Sequence, residues 1–142
     1  MLKVPTPSSE IYQIPARAVP TYWGLAHAYL HDACAEIDAC EYTVEMLLDE
    51  CFTGQSQLWL VWSDERGAEC AVVTSVMPQI KVCLIKACGG RGRQHWLGLL
   101  DEIEKWAKEL GCTKMRLYGR RGWSRVLADY RVTRLVMDKE LG

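Results

Sequence analysis

The strongest chemical signal in the chain is the run Gly89-Gly90-Arg91-Gly92-Arg93, set between an apolar stretch and a helical pattern. The stretch before it, residues 82–87, reads as a buried strand, and Cys88 joins the two. A glycine-rich loop leaves backbone N–H groups unshielded. Where such a loop opens a helix, those donors and the helix dipole attract an anion. Arg120, Arg121 and Arg125 cluster at a second glycine turn and offer charge-assisted hydrogen bonds to the same kind of ligand. The chemistry indicated is the holding of a phosphate-bearing molecule. The plainer alternatives are a tight strand-to-helix turn and a solvated basic face.

Other residues offer weaker chemistry. His27, His31 and Cys34 fall at i, i+4 and i+7 and could place three metal ligands on one helix face. No fourth ligand is in view and the face borders an apolar stripe, so they read as partly buried polar side chains and no metal is expected. Cys88 could be a reactive thiol at a helix start, or a small residue that lets the backbone approach a neighbour. Glu41, Glu45 and Asp49 are candidate proton acceptors, but their spacing singles none out. The catalytic residues therefore stay unassigned.

Charge is unevenly spread. The formal net charge is −1, yet residues 1–80 carry −8 and residues 81–142 carry +7. Either the halves neutralise each other across the fold, or an anionic ligand meets the second half and a cationic amine the first. Near-neutral overall charge argues against nonspecific nucleic-acid binding. No apolar run approaches the roughly 20 residues of a membrane span. The seven cysteines form no disulfide framework and no secretion signal is visible, so a reducing cytoplasm is expected.

The elements that must position these residues follow from periodicity. Residues 1–17, with Pro5, Pro7 and Pro15, predict an extended arm or an edge strand. Apolar positions from Val19 to Ile37 recur at helical spacing, and Thr43 is an N-cap for a second helix closed by Gly54. Residues 57–63 and 69–77 flank a polar, glycine-containing connection and predict a hairpin. A third strand, 80–87, precedes the glycine run. A helix over 94–110 ends at Gly111, and then come a strand at 114–118, a short helix from Trp123 to Asp129 and a last strand at 131–138. With no linker or repeat, the chain predicts one mixed α/β domain over residues 1–142.

In this order, and above all over residues 81–112, the chain resembles the GNAT superfamily of Gcn5-related N-acetyltransferases. The family's loop has the form Arg/Gln-x-x-Gly-x-Gly/Ala and opens a helix. Cys88-Gly89-Gly90-Arg91-Gly92-Arg93-Gln94-His95-Trp96 stands there in this chain. With Arg91 at the Arg/Gln position, Gln94 and Trp96 take the glycine positions. The resemblance implies a GNAT-like α/β fold and acetyl-CoA as cofactor. A backbone N–H near Ala87 or Cys88 would face the acyl carbonyl. The loop amides from Gly90 through Arg91, Gly92 and Arg93 to Gln94 would meet the pyrophosphate. Arg93, Arg120, Arg121 or Arg125 would meet the 3′-phosphate. The family often has a tyrosine in its last helix as general acid, and the nearby tyrosines here are Tyr118 and Tyr130. A strand glutamate to act as base is missing from 80–88.

The Gly-Arg-x-Gly-Trp ending of this pattern, residues 119–123, also resembles small GNAT-like proteins of tailed bacteriophages and prophages. Two functions are therefore expected. One is an acetyl-CoA-dependent N-acyltransferase acting on an amine. The other is a catalytically silent phage protein that binds phage structural proteins, in the host cytoplasm or the virion. An enzyme needs an open pyrophosphate loop, which Gln94 and Trp96 would crowd.

Overall fold

Alternating side chains decide the layers. A computed structural model describes residues 8–35, 41–119 and 121–142 of the chain. In strand β2, Gln57–Ser63, Leu58 and Leu60 point to one face while Trp59 and Val61 point to the other. Strand β3, Gly67–Met77, repeats the pattern with Ala71 and Val73 against Cys70 and Val72. A sheet apolar on both faces must be covered on both. Helices α1, Val19–Ala35, and α2, Val44–Thr53, cover the first face through Val19, Trp23, Ala26, Leu30 and Leu47. Helices α3, Arg93–Trp96, and α4, Leu100–Glu109, cover the second through Trp96, Leu100 and Ile103.

Local signals act where the sequence places them. Thr43 Oγ1 accepts from the Met46 amide at 3.1 Å, and Gly54 ends α2 at φ 84°. Strand β1, Glu10–Ile14, lies at the sheet edge beside β2, immediately before Pro15. The sheet order is β1-β2-β3-β4-β5, where β4 is Val82–Gly90 and β5 is Lys114–Leu117. Its first four strands are antiparallel neighbours, and β4 pairs β5 in parallel. A parallel neighbour needs a crossover, which α3 and α4 supply. The last helix, α5, is Arg121–Val126, and its Trp123 ring lies 6.5 Å from that of Trp96.

Three expectations are corrected. Strand β4 runs on to Gly90, so Gly89 and Gly90 belong to the sheet and pair with Ala71 and Cys70. The helix over 94–110 is broken by a 3-10 turn at Leu97–Leu99. Trp96 leaves helical geometry at φ −128°, and its indole N–H donates to the Arg91 carbonyl at 2.9 Å, so the ring is anchored beneath the loop. Residues 131–138 form no strand. Val132, Leu135, Val136 and Met137 are exposed there, and no strand among the described residues pairs with them. Strand propensity without cross-strand contacts does not hold a strand.

Candidate functional site

Strand β4 changes partners midway. Val82 to Ile85 pair with Lys114 to Leu117 of β5, and beyond Ile85 β4 continues alongside β3 alone. Among the described residues, one edge of β4 is therefore unpaired from Lys86 to Gly90. A bulge lies at the same place, because Val73 pairs with Ala87 while Thr74 pairs with Ile85, which leaves Lys86 as the extra residue. Ile85 and Cys88 consequently pack on the α4 side, while Ala87 packs on the α1 side. A bulge beside an open strand edge presents backbone groups to a ligand instead of to a strand.

The glycines have protein neighbours as well as a loop to form. A Cβ at Gly89 would stand 2.3 Å from the Tyr29 carbonyl oxygen of α1, and one at Gly90 would stand 2.5 Å from the Glu69 carbonyl oxygen. These two positions are bare so that α1 and β3 can close on β4. Gly92 differs: it caps α3 at φ 62°, a left-handed conformation that disfavours side chains.

Beyond the glycines, the Arg91 amide donates to the Glu69 carbonyl at 2.8 Å, and the Arg91 guanidinium donates to the Arg66 carbonyl at 2.7 Å. Arg91 thus ties the loop to the β2–β3 turn. Among the described residues the amides of Gly92, Arg93 and Gln94 have no backbone acceptor. Trp96 is buried beneath the loop and so does not crowd those amides, and Gln94 and Arg93 are exposed. Arg125 is exposed on α5, whereas Arg120 and the Arg121 side chain lie outside the described residues.

The loop rests on a polar cluster that sequence reasoning missed. Glu69 is 1% exposed and accepts from Ser9 Oγ at 2.5 Å. His95 Nδ1 lies 3.0 Å from Glu69 Oε2, and Arg66 Nε stands 3.2 Å from the same oxygen in an ion pair without hydrogen-bond alignment. Burial pushes the Glu69 carboxyl up. Hydrogen bonds from Ser9 and His95, together with the close Arg66 guanidinium, outweigh that and hold it below its ordinary value. Arg66, Glu69, Arg91, Gly92 and His95 line an open pocket of about 300 Å³ at this end of β4. Only the periodicity break at Glu69, a carboxylate inside an apolar strand, signalled it.

The acidic half supplies a different carboxylate from those expected. Glu41, Glu45 and Asp49 are exposed, and it is Glu50 that reaches the sheet, with Oε2 2.7 Å from Lys86 Nζ. Tyr118 follows the last residue of β5, where β4 and β5 part, and is exposed. Tyr130 turns away to α4, where its hydroxyl donates to Glu104 Oε1 at 3.3 Å. His27 and His31 stack at 6.1 Å on α1, and among the described residues no three His, Cys, Asp or Glu side chains converge on a metal position. Among the same residues no helix is long and apolar enough to cross a membrane.

No protein-family model and no curated protein matches the sequence. Solved structures do match in fold. The aminoglycoside N-acetyltransferase AAC(6')-Iy in complex with CoA superposes with a TM-score of 0.65 at 12% identity, covering 98% of this chain and 99% of that one. A putative acetyl transferase from Pyrococcus furiosus gives 0.68 at 15% identity, covering 94% and 100%. The ribosomal-protein-alanine N-acetyltransferase from Brucella melitensis biovar Abortus 2308 gives 0.63 at 16% identity, covering 95% and 100%. The architecture is thus the mixed α/β fold of GNAT acyl-CoA N-acyltransferases.

Proposed function

We propose that the chain is an acetyl-CoA-dependent N-acyltransferase that acts on an amine acceptor. The observation that carries this reading is the parting of β4 from β5 after the Ile85–Leu117 pair, with the glycine loop at the end of the freed edge. The same fold holds CoA in AAC(6')-Iy, and a CoA-S-monomethyl-acetylneamine bisubstrate analogue in another structure of that enzyme. The residues present fit such a ligand. An extended pantetheine arm can pair with an open strand edge, and a pyrophosphate matches the unpaired amides of Gly92, Arg93 and Gln94.

The thioester supplies an activated acyl carbonyl, and the chain's own groups do the rest. A backbone N–H near Ala87 or Cys88 polarises the carbonyl oxygen. Gly90 and Gly92 keep the backbone bare. Arg91 braces the loop, while Arg93 with Arg120, Arg121 or Arg125 meets the 3′-phosphate. Tyr118 returns a proton to the leaving thiolate. On this reading residues 1–142 act as one domain, in a bacterial cytoplasm.

The second expectation, a silent phage-type protein bound to structural partners, would leave the freed edge without a ligand. Calorimetric titration with acetyl-CoA separates the two. Micromolar binding that is weakened about tenfold or more by Arg93→Ala supports the transferase. No binding at millimolar acetyl-CoA refutes it.

A further inference from the structure

Lys86, the extra residue of the β4 bulge, holds its ammonium in a site of the kind an amine substrate would need. Its Nζ lies 2.7 Å from Glu50 Oε2 and 4.9 Å from the centroid of the Tyr42 ring. The lysine and glutamate side chains are 13% and 22% exposed, so this pair is sheltered from solvent. Glu50 Oε2 also accepts from Ser56 Oγ at 3.0 Å, which fixes the carboxylate. A carboxylate and an aromatic face on one ammonium is how proteins recognise cationic amines. Here the occupant comes from the protein itself, one residue before Ala87 and at the point where β4 leaves β5.

We propose that Lys86 is an acetylation site of this protein, modified in cis by the acyl donor bound along β4. The inference rests on the acyltransferase reading. The ammonium gives one proton to Glu50, and the Nζ lone pair then forms a bond to the acetyl carbonyl carbon. The C–S bond breaks and its electron pair leaves on the CoA sulfur, which takes the Tyr118 hydroxyl proton; of the two nitrogen protons that leave through Glu50, one restores Tyr118 through solvent and the other is released to solvent. The products are Nζ-acetyl-Lys86 and CoA with a free thiol, and no oxidant or further reactant is required. Once acetylated, Lys86 carries no charge, so its ion pair with Glu50 is lost.

Order of labelling tests this directly. Lys81, Lys105, Lys108 and Lys114 are exposed, whereas Lys86 is sheltered. A generic acetylating reagent, N-hydroxysuccinimidyl acetate, must therefore modify the exposed lysines first, which peptide mass spectrometry reads without any acyl donor in the site. With acetyl-CoA the order inverts. Lys86 gains one acetyl group first, at a rate constant unchanged by dilution of the protein, and Glu50→Gln slows it about tenfold or more. CoA affinity, measured by calorimetry on the same samples, is unaltered by that substitution. If CoA binds and labelling still follows exposure, the inference fails and the transferase reading stands. If CoA does not bind, both fail. The inversion is read on the unsubstituted protein, so the test survives a variant that does not fold.

Discussion

His95 Nδ1 stands 3.0 Å from Glu69 Oε2 and joins the first turn after the glycine loop to the middle of the sheet. A carboxylate only accepts, so Nδ1 carries the proton in this bond. The loop that would hold an anion is thereby hung on a buried anion of the protein's own.

Stability should therefore depend on the ionisation of Glu69. Its carboxyl is held below the ordinary value of 4.5, so its stabilisation is fully present above that pH and is lost as pH falls through the lower folded value. Glu69→Gln should cost about 2 kcal/mol near neutrality. Urea unfolding of both proteins across the acid range checks this. The gap between them should be constant above the ordinary value and shrink below it, and a gap independent of pH would refute the assignment.

Two glycines should respond in opposite directions to the same substitution. Gly89→Ala places a Cβ 2.3 Å from the Tyr29 carbonyl, and overpacking against a backbone atom should cost about 1–3 kcal/mol. Gly24 lies on the exposed side of α1, and a Cβ there would meet nothing within 4 Å, so Gly24→Ala should add about 0.5–1 kcal/mol. Thermal unfolding of the pair decides it, since equal shifts would contradict the packing of α1 on β4.

The two tyrosines near the end of β5 should separate activity from stability. Tyr118→Phe should reduce acyl transfer about 100-fold, with unfolding unchanged, if its hydroxyl protonates the thiolate. Tyr130→Phe should leave transfer unaltered and cost about 1 kcal/mol through the lost bond to Glu104. Steady-state rates beside denaturant curves distinguish them, and a Tyr130→Phe variant with the kinetic defect would reverse the assignment.

Removing residues 131–142 should leave stability within about 0.5 kcal/mol of the full chain. Val132, Leu135, Val136 and Met137 are 81%, 83%, 65% and 84% exposed, so they contribute little buried area to the fold. The shortened protein should also self-associate less, since an exposed apolar run is lost. Denaturant unfolding and light scattering give both readouts, and a large loss of stability would show that the segment packs after all.

Much of the architecture was legible because the relevant forces are local. Thr43 and Gly54 mark α2 through backbone hydrogen bonding, and two apolar runs flanking a polar, glycine-containing connection mark β2 and β3 as a hairpin. The run from Gly89 to Gly92 marked the passage from β4 to α3. Its role was only half legible, because Gly89 and Gly90 answer to Tyr29 and Glu69, far away in sequence. The helix break at Leu97–Leu99 was hidden for the same reason, since the anchoring of the Trp96 indole on Arg91 is a contact that helical periodicity does not encode.

By itself, then, the sequence determined the element order from α1 to α5, the glycine run between β4 and α3 and the acidic and basic halves, since each follows from residue type and short spacing. Only the tertiary structure decided which carboxylates matter. Glu50 looks no different along the chain from Glu41, Glu45 or Asp49, and Glu69 shows there only as a lone charge in an apolar strand. Both are set apart by burial against β3 and β4, where low exposure forces a charge to find a partner. Those partners are His95 and Lys86.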